Sequence, residues 1–396
     1  METTVAPLIT REFLEFALKE HFQCNIDILD FSVANVVTSG DNFTSVLWRV
    51  VITYSAENSQ KKTLSLIAKM FPEDEKMVNL VTTNKCFDTE IGIYGEVLPT
   101  IYHLDYSRKL SAKTFYTSLE PRPVILMEDL TTLGYTTYES EEGLDLPHCL
   151  IVMEKLAYLH AGSVAVHKKS PHLITKYKGG LYARNETLRA FISATFSSFM
   201  EVCEETPGFH HYVSKLSIEN LTESLFLSKE PSESFNVLNH GDMWLKNLMF
   251  NYDSKGNIID TLFVDFQYPF FGSPVLDLHF FWVVCTNSTV KVQHFDYIIH
   301  HYYNELVTHL LKLHVDTSLT FEELREDFRA RAGFGFAAAV ISLPLLLAAR
   351  SSVASVDNFL GDGRRGSYRY MSFHSEKYMD QITLLLPFYD KLGVFP

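Results

Sequence analysis

The chain has 396 residues, 46% of them hydrophobic, which is more than one core ordinarily holds, and two domains are expected. A net charge of −14 at pH 7 disfavours nucleic acid or an anionic membrane as partner, because both are bound through basic surfaces. Phosphate-bearing ligands remain open, since bound magnesium can supply the positive charge.

From the amino terminus, Pro7 to Phe22 sets Phe13, Leu14, Phe16 and Ala17 at helical spacing behind Thr10, a residue suited to an N-cap, and predicts an amphipathic helix. From Ile28 to Phe71 the pattern turns to β-branched and aromatic runs, FSVANVV, FTSVLWRVVITY and TLSLIAKMF, which predict three antiparallel strands. Asp74 to Leu98 returns to helical spacing and stops at Pro99, and RPVILMEDL then reads as a short apolar strand. Beyond Leu146 helix-like segments dominate, at 147–161, 181–205, 210–227, 291–314, 321–349 and 374–389. Between Phe235 and Phe266 the runs FNVLNH, NLMFNY and IIDTLFVDF interrupt them as strands, with DSKGN as a hairpin turn. The composition changes just after Leu130, so 1–130 is expected to form a small β-rich lobe and 131–396 a larger, mainly helical one, an α+β architecture.

The five cysteines are widely spaced and show no ligand pattern, and they read as free buried thiols of a reducing compartment. The amino terminus lacks the apolar segment of a secretory signal. The longest apolar run, Gly333 to Ala349, contains Pro344 and is short for a membrane span, so it fits a buried helix better. A cytoplasmic protein without a membrane span, acting as a monomer, is expected.

The strongest chemical signal is His240-Gly241-Asp242-Met-Trp-Leu-Lys-Asn247, of the form H-x-D-x-x-x-x-N, followed after a strand hairpin by Val264-Asp265-Phe266-Gln267. Phosphoryl transfer needs a carboxylate near the acceptor hydroxyl and oxygen ligands that hold magnesium on the phosphates. Asp242 suits the first role, and Asn247 and Asp265 the second. Upstream, Lys69 lies in the apolar strand LIAKMF, where an unpaired ammonium is costly to bury, and Glu90 in FDTEIGIYGEVLP is placed to pair with it. Gly40, Asn42 and Ser45 join the first two strands, where backbone N–H groups could cover phosphates; with one glycine and no Walker lysine, the segment reads equally as an ordinary hairpin turn. Leu126 to Leu130, with Glu128 and Leu130 offering main-chain groups to adenine, reads equally as a hinge or as a plain linker strand.

Taken together, LNHGDMWLKNLMF, VDFQ, FDTE and MEDL resemble the ecdysteroid kinase-like family, relatives of choline and aminoglycoside kinases, from about Gly40 to Asp277. The resemblance implies a bilobal protein-kinase-like fold and an ATP- and Mg2+-dependent kinase with Asp242 as catalytic base. It also implies Asn247 and Asp265 as magnesium ligands, Lys69 with Glu90 at the nucleotide, and His240 and Asp277 as structural support of the catalytic loop. The implied acceptor is a small lipophilic alcohol such as an ecdysteroid or another steroid; a choline- or aminoglycoside-type kinase and a non-catalytic pseudokinase are the alternatives. Gly241 and Gln267 depart from the HRD and DFG patterns of protein kinases, and no activation segment follows, which argues against a protein substrate. The aromatics Trp244, Phe270, Phe271, Phe280, Phe281, Trp282, Tyr302 and Tyr303 could line an acceptor pocket between the catalytic loop and the C-terminal helices, although large aromatics at helical spacing more often serve as core.

Overall fold

Alternation along three strands decides which residues meet the rest of the molecule. The computed structural model of the chain describes residues 9–36, 45–56, 60–72, 75–104, 108–140, 142–182, 185–348 and 356–395. Strands β1 (Ile26–Asn35), β2 (Val46–Ala56), β3 (Lys62–Met70), β4 (Thr114–Ser118) and β5 (Val124–Glu128) form one antiparallel sheet in the order β1-β2-β3-β5-β4. One face carries Val50, Ile52, Leu66, Ala68 and Leu126, packed on Leu14, Ala17 and Leu18 of helix α1 (Arg11–Phe22). Because the side-chain period of a strand is two, Lys69 falls on the other face with Ile67, Ile125 and Met127, which join the core shared with the C-terminal helices.

The expected N-cap of α1 is present, with the Thr10 hydroxyl accepting from the Phe13 N–H at 3.2 Å, but Phe16 is exposed and Leu18 takes the inward place. Edge strand β4 (TFYTS) was not read from the sequence, since its half-buried residues form no apolar run.

Two helices, α2 (Glu75–Thr83) and α3 (Cys86–Gly92), lead into a π-helical turn at Ile93–Val97 and helix α4 (Leu98–Leu104). The helix thus passes through Pro99 instead of stopping there. The Leu98 N–H bonds to Ile93 O, five residues back, and this widening of the ladder just before the proline accommodates a ring that would clash in a regular α-helix.

The C-terminal lobe is built around helix α5 (Leu146–Lys169), capped by the Asp145 side chain and buried over most of its length. Among the described residues it is the one helix long and apolar enough to cross a membrane, and 83% of that stretch is buried inside the protein. It packs on α12 (Phe295–Lys312), while α10 (Val275–Cys285) is buried on every side. Short strands sit against this core. β7 (Val237–Asn239) pairs with β10 (Phe270–Gly272), and β8 (Leu248–Tyr252) pairs with β9 (Ile258–Phe263) and with the two-residue β6 (Thr136–Thr137).

The apolar stretch expected as one helix over 321–349 divides into α13 (Phe321–Ala330), α14 (Ala332–Ile341) and α15 (Leu343–Ala348). Pro344 has no N–H to continue the ladder, and Arg331 leaves helical geometry between the first two. The last helix, α18 (Glu376–Lys391), closes over the lobe. This is the bilobal α+β, protein-kinase-like arrangement.

Candidate active site

Strand β7 runs straight into the segment 240–247, and what holds that segment is the carboxylate of Asp277 in the first turn of α10. Asp277 accepts from the backbone N–H of His240 at 2.6 Å and of Gly241 at 2.9 Å. Buried His160 of α5 reaches the same carboxylate, its Nε2 lying 3.2 Å away and its Nδ1 2.7 Å from the Tyr302 hydroxyl. The Asp277 N–H in turn donates to the Asn239 side chain at 3.2 Å. Gly241 has φ +80°, and a Cβ there would stand 1.9 Å from Tyr268 O, so no other residue fits this turn without moving backbone.

His240 ties the loop to the one that follows the β8–β9 hairpin. Its Nε2 donates to Val264 O at 3.1 Å, while its Nδ1 accepts from the Asp242 N–H at 3.3 Å. Burial pulls its pKa below the ordinary histidine value, which keeps the ring neutral and matches that one-donor, one-acceptor arrangement. The Val264 N–H donates to Asn247 O at 3.0 Å, a second tie between the two loops. Asn247 Nδ2 donates to Asp242 Oδ2 at 3.0 Å and to Asp242 O at 2.9 Å, which leaves the amide oxygen as its donor for a cation. Burial, and then the charge of Asp265, raise the Asp242 carboxyl well above the usual range, with the Asn247 bond pulling the other way.

Asp265 adopts a left-handed backbone, φ +65°, a conformation that aspartate tolerates better than most residues. It accepts from Lys69 Nζ at 2.8 Å. Lys69 Nζ also lies 2.7 Å from Glu90 Oε2, and Glu90 is fully buried. Burial alone would pull the lysine down, but the carboxylates of Asp265 and Glu90 outweigh it and its pKa stands above the ordinary value. Burial raises the Glu90 carboxyl, against the pull of Lys69. Strand β3, helix α3 and the loop after β9 therefore converge on one ammonium group.

The remaining expected residues are spread more widely. Gly40 and Asn42 lie outside the described residues, and Ser45 is buried at the start of β2. Glu128 ends β5 with its N–H on Lys113 O at 2.8 Å and its carboxylate on Lys109 and on the Lys113 N–H. Leu130 opens a short 3-10 turn capped by buried Asp129, which also holds Arg49 at 2.7 Å and Ser65 at 2.8 Å.

A cavity of about 610 Å³ opens beside the loop 240–247, lined by Leu245, by the segment 286–289 and by α15 and α18. None of the eight aromatics considered as its lining takes part. Phe270, Phe280, Phe281, Trp282 and Tyr302 are buried in the core, and Trp244, Phe271 and Tyr303 pack against it. Helix α10 meets this cavity through Val283 and Val284, while its aromatics Phe280, Phe281 and Trp282 are buried in the core.

Sequence reasoning missed His160, Asn239 and Asp129. A histidine inside the apolar run LAYLHAGS was the one available signal, and it marks only that the ring needs buried partners.

The model of the ecdysteroid kinase-like family matches residues 39–315. No curated protein matches the chain. Among solved structures, the gentamicin complex of APH(2")-IIa is similar over 98% of this chain and 97% of that one, at 14% identity and a TM-score of 0.40. The GDP and kanamycin complex of APH(2")-IIia follows over 96% and 98%, at 12% identity and a TM-score of 0.39. The ADP-bound aminoglycoside phosphotransferase APH(2'')-Ib is similar over 80% and 97%, at 12% identity and a TM-score of 0.32.

Proposed function

The chain belongs to the ecdysteroid kinase-like family, and from that premise we propose that it transfers the γ-phosphoryl group of ATP to a hydroxyl of a lipophilic alcohol, with an ecdysteroid or related steroid first among acceptors. The observation that carries this is the convergence of Lys69, Glu90 and Asp265 within 2.8 Å contacts, joined through the Val264–Asn247 tie to the loop that bears Asp242. Residues 1–130 serve as the nucleotide lobe and 131–396 as the catalytic and acceptor lobe, in a cytoplasmic monomer.

Lys69, held by Glu90, orients the α- and β-phosphates. Asp242 takes the proton of the attacking hydroxyl; its raised pKa brings it closer to the range where a general base works best. The donors fit magnesium, a hard cation that takes a few carboxylate and amide oxygens along with phosphates: Asp265 has a second oxygen beyond the one on Lys69, and Asn247 has its amide oxygen. When bound, magnesium supplies positive charge to the phosphoryl group in transfer.

The cavity beside Leu245 supports a lipophilic acceptor. Val283, Val284, Leu343 and Leu347 give it an aliphatic wall, and among the described residues no aromatic of the kind a quaternary ammonium would require lines it. Among the described residues its charged lining is two acids and one base, Glu142, Asp380 and Lys377, a balance that does not favour a polycationic aminoglycoside.

ATP turnover with a panel of hydroxylated acceptors, run on the parent and on Asp242→Asn, tests the reading. Transfer to a steroid alcohol should vanish in Asp242→Asn while nucleotide binding persists. Near-parental turnover in that variant would remove Asp242 as base, and turnover of aminoglycoside or choline acceptors alone would replace the lipophilic acceptor.

A further inference from the structure

Gly92 is the last residue of α3, two positions after Glu90, and its backbone is that of an ordinary helix, with φ −63°. Alanine would form that helix more readily, and the conformation makes no demand for glycine. Tyr177 supplies the reason. A Cβ on Gly92 would stand 2.6 Å from the Tyr177 hydroxyl oxygen, so the tip of the ring rests on bare helix backbone. That oxygen is closed to solvent and has no hydrogen-bond partner among the described residues, whereas phenylalanine would pack there with no unmatched polar group. What the hydroxyl adds is length, which carries the side chain as far as Gly92.

Tyr177 is fixed where it stands. It is buried, its N–H donates to Ile174 O at 3.2 Å, and its carbonyl accepts from the Phe271 N–H at 2.8 Å. Phe271 lies in β10 opposite Leu238 of β7, the strand that runs into the loop 240–247. On the other side, α3 brings Glu90 to Lys69, and the π-turn after it sets Tyr94 edge-on to Phe266, ring centres 5.8 Å apart, next to Asp265. Lys176 adds an ion pair with Glu96 at 2.5 Å, but both side chains are exposed and its share is small. From this geometry we infer that Tyr177 is a positioning residue for phosphoryl transfer: seated on Gly92 and tied to β10, it sets how far the Glu90 helix stands from the loop 240–247 and so holds that carboxylate on Lys69. The inference rests on Lys69 being the residue that orients the phosphates. For groups that must hold a reacting geometry, a misplacement of about 1 Å is enough to matter.

Gly92→Ala, Gly92→Ala with Tyr177→Phe, and both again on a Lys69→Met background test it, by ATP turnover with the hydroxylated acceptors and by urea unfolding at pH 7 and 5.5. In Gly92→Ala the methyl displaces the helix, and turnover per folded molecule should fall by about 10-fold or more. Removing the hydroxyl as well gives the methyl room, and turnover should return to near the parental rate. On the Lys69→Met background the alanine should cost nothing further, because it acts through the lysine; a general structural defect would multiply with that loss. Unfolding reads the same displacement without turnover. The charged groups facing Glu90 are Lys69 and Asp265, and moving it away from the lysine raises its carboxyl further. A raised carboxyl loses stability as the pH rises, so Gly92→Ala should fall behind the parent by more at pH 7 than at 5.5, and Tyr177→Phe should close that difference. A folded Gly92→Ala with parental turnover, or a loss that Tyr177→Phe does not restore, overturns the inference and leaves the role of Lys69 standing. If the parent turns over none of the acceptors, a pH-dependent difference that Tyr177→Phe closes keeps the positioning role and sinks the kinase reading alone; a difference equal at both pH values sinks the positioning role as well.

Discussion

Replacing Lys69 with methionine separates the two demands placed on that residue. The apolar stem keeps the buried part of the side chain, so the fold should survive. What changes is Glu90, 0% exposed, whose counter-charge at 2.7 Å disappears. Left ionised, a buried carboxylate stripped of its partner costs about 3–5 kcal/mol. Taking up a proton offers a way out. From an ordinary carboxyl value of 4.5, protonation at pH 7 costs about 3.4 kcal/mol, at 1.36 kcal/mol per unit, and caps the loss. In the variant, Glu90 has a folded-state pKa above its unfolded one. Its stability is therefore intact below the unfolded value and lost as the pH rises towards the folded one. Because burial already raises Glu90 in the parent, the parent shares part of this fall, and the deficit should shrink from pH 7 to 5.5 by less than about 1.4 kcal/mol for each unit. Urea unfolding of the parent, Lys69→Met and Lys69→Met with Glu90→Gln at both pH values measures this. The double variant should recover most of the pH 7 stability but none of the rate, which should stay down by about 10²-fold or more. A deficit that does not vary with pH would refute the stranded-carboxylate argument, and a folded, fully active Lys69→Met would remove the lysine from the phosphates.

Three more perturbations follow from the geometry. Asp265→Ala should lose magnesium-dependent nucleotide affinity, and equal affinity with and without magnesium in variant and parent would take Asp265 out of the metal site. Gly241→Ala pushes a Cβ to 1.9 Å from Tyr268 O at φ +80°; it should cost about 1–3 kcal/mol in urea unfolding and most of the transfer rate, and a parent-like variant would contradict the loop geometry. His279, with its Nε2 2.8 Å from Phe328 O, is pulled by burial down to about 3. Its contribution is whole above about pH 6.5 and falls with acidification, by about 2.7 kcal/mol at pH 4.5, so the acid sensitivity of His279→Gln should be smaller by that amount.

Much of the fold was legible because its strands repeat with period two and its long helices with period 3.6. Strands β1 to β3 and the β8–β9 hairpin fall where the apolar runs place them, and Lys69 could be put on a strand and Glu90 on a helix. What the sequence hid depends on neighbours. Pro99 normally ends a helix, and only the π-turn before it, set by packing, lets the chain continue. Strands β6 and β10 are two and three residues long, too short for any period to register. At the site, the meeting of Lys69 with Glu90 could be argued from residue types and order, whereas the contact of Lys69 with Asp265 could not. His160 and Asn239 could not, since their value lies in hydrogen bonds to Asp277 and its N–H that no spacing reveals. The aromatic candidates show the limit of residue type and spacing: Phe270, Phe280, Phe281, Trp282 and Tyr302 are buried, since large rings at helical spacing are what a core takes in.

The contact between Lys69 and Asp265 joins residues 196 positions apart, whereas Lys69 and Glu90 are separated by 21. At a synthesis rate of about 5–20 residues per second, the later partner leaves the ribosome on the order of 10–40 s after the earlier one. For the early part of that interval, until α5 is made, the nascent amino-terminal sheet has its α1 side covered, while the side bearing Ile67, Ile125 and Met127 lacks much of the core that covers it in the finished protein. Lys69 and Glu90 set a polar pair in the middle of that apolar face, the kind of interruption that makes an apolar surface a poorer docking site for another chain. The lysine that the finished protein holds between two carboxylates thus has only the nearer one for the first part of its synthesis.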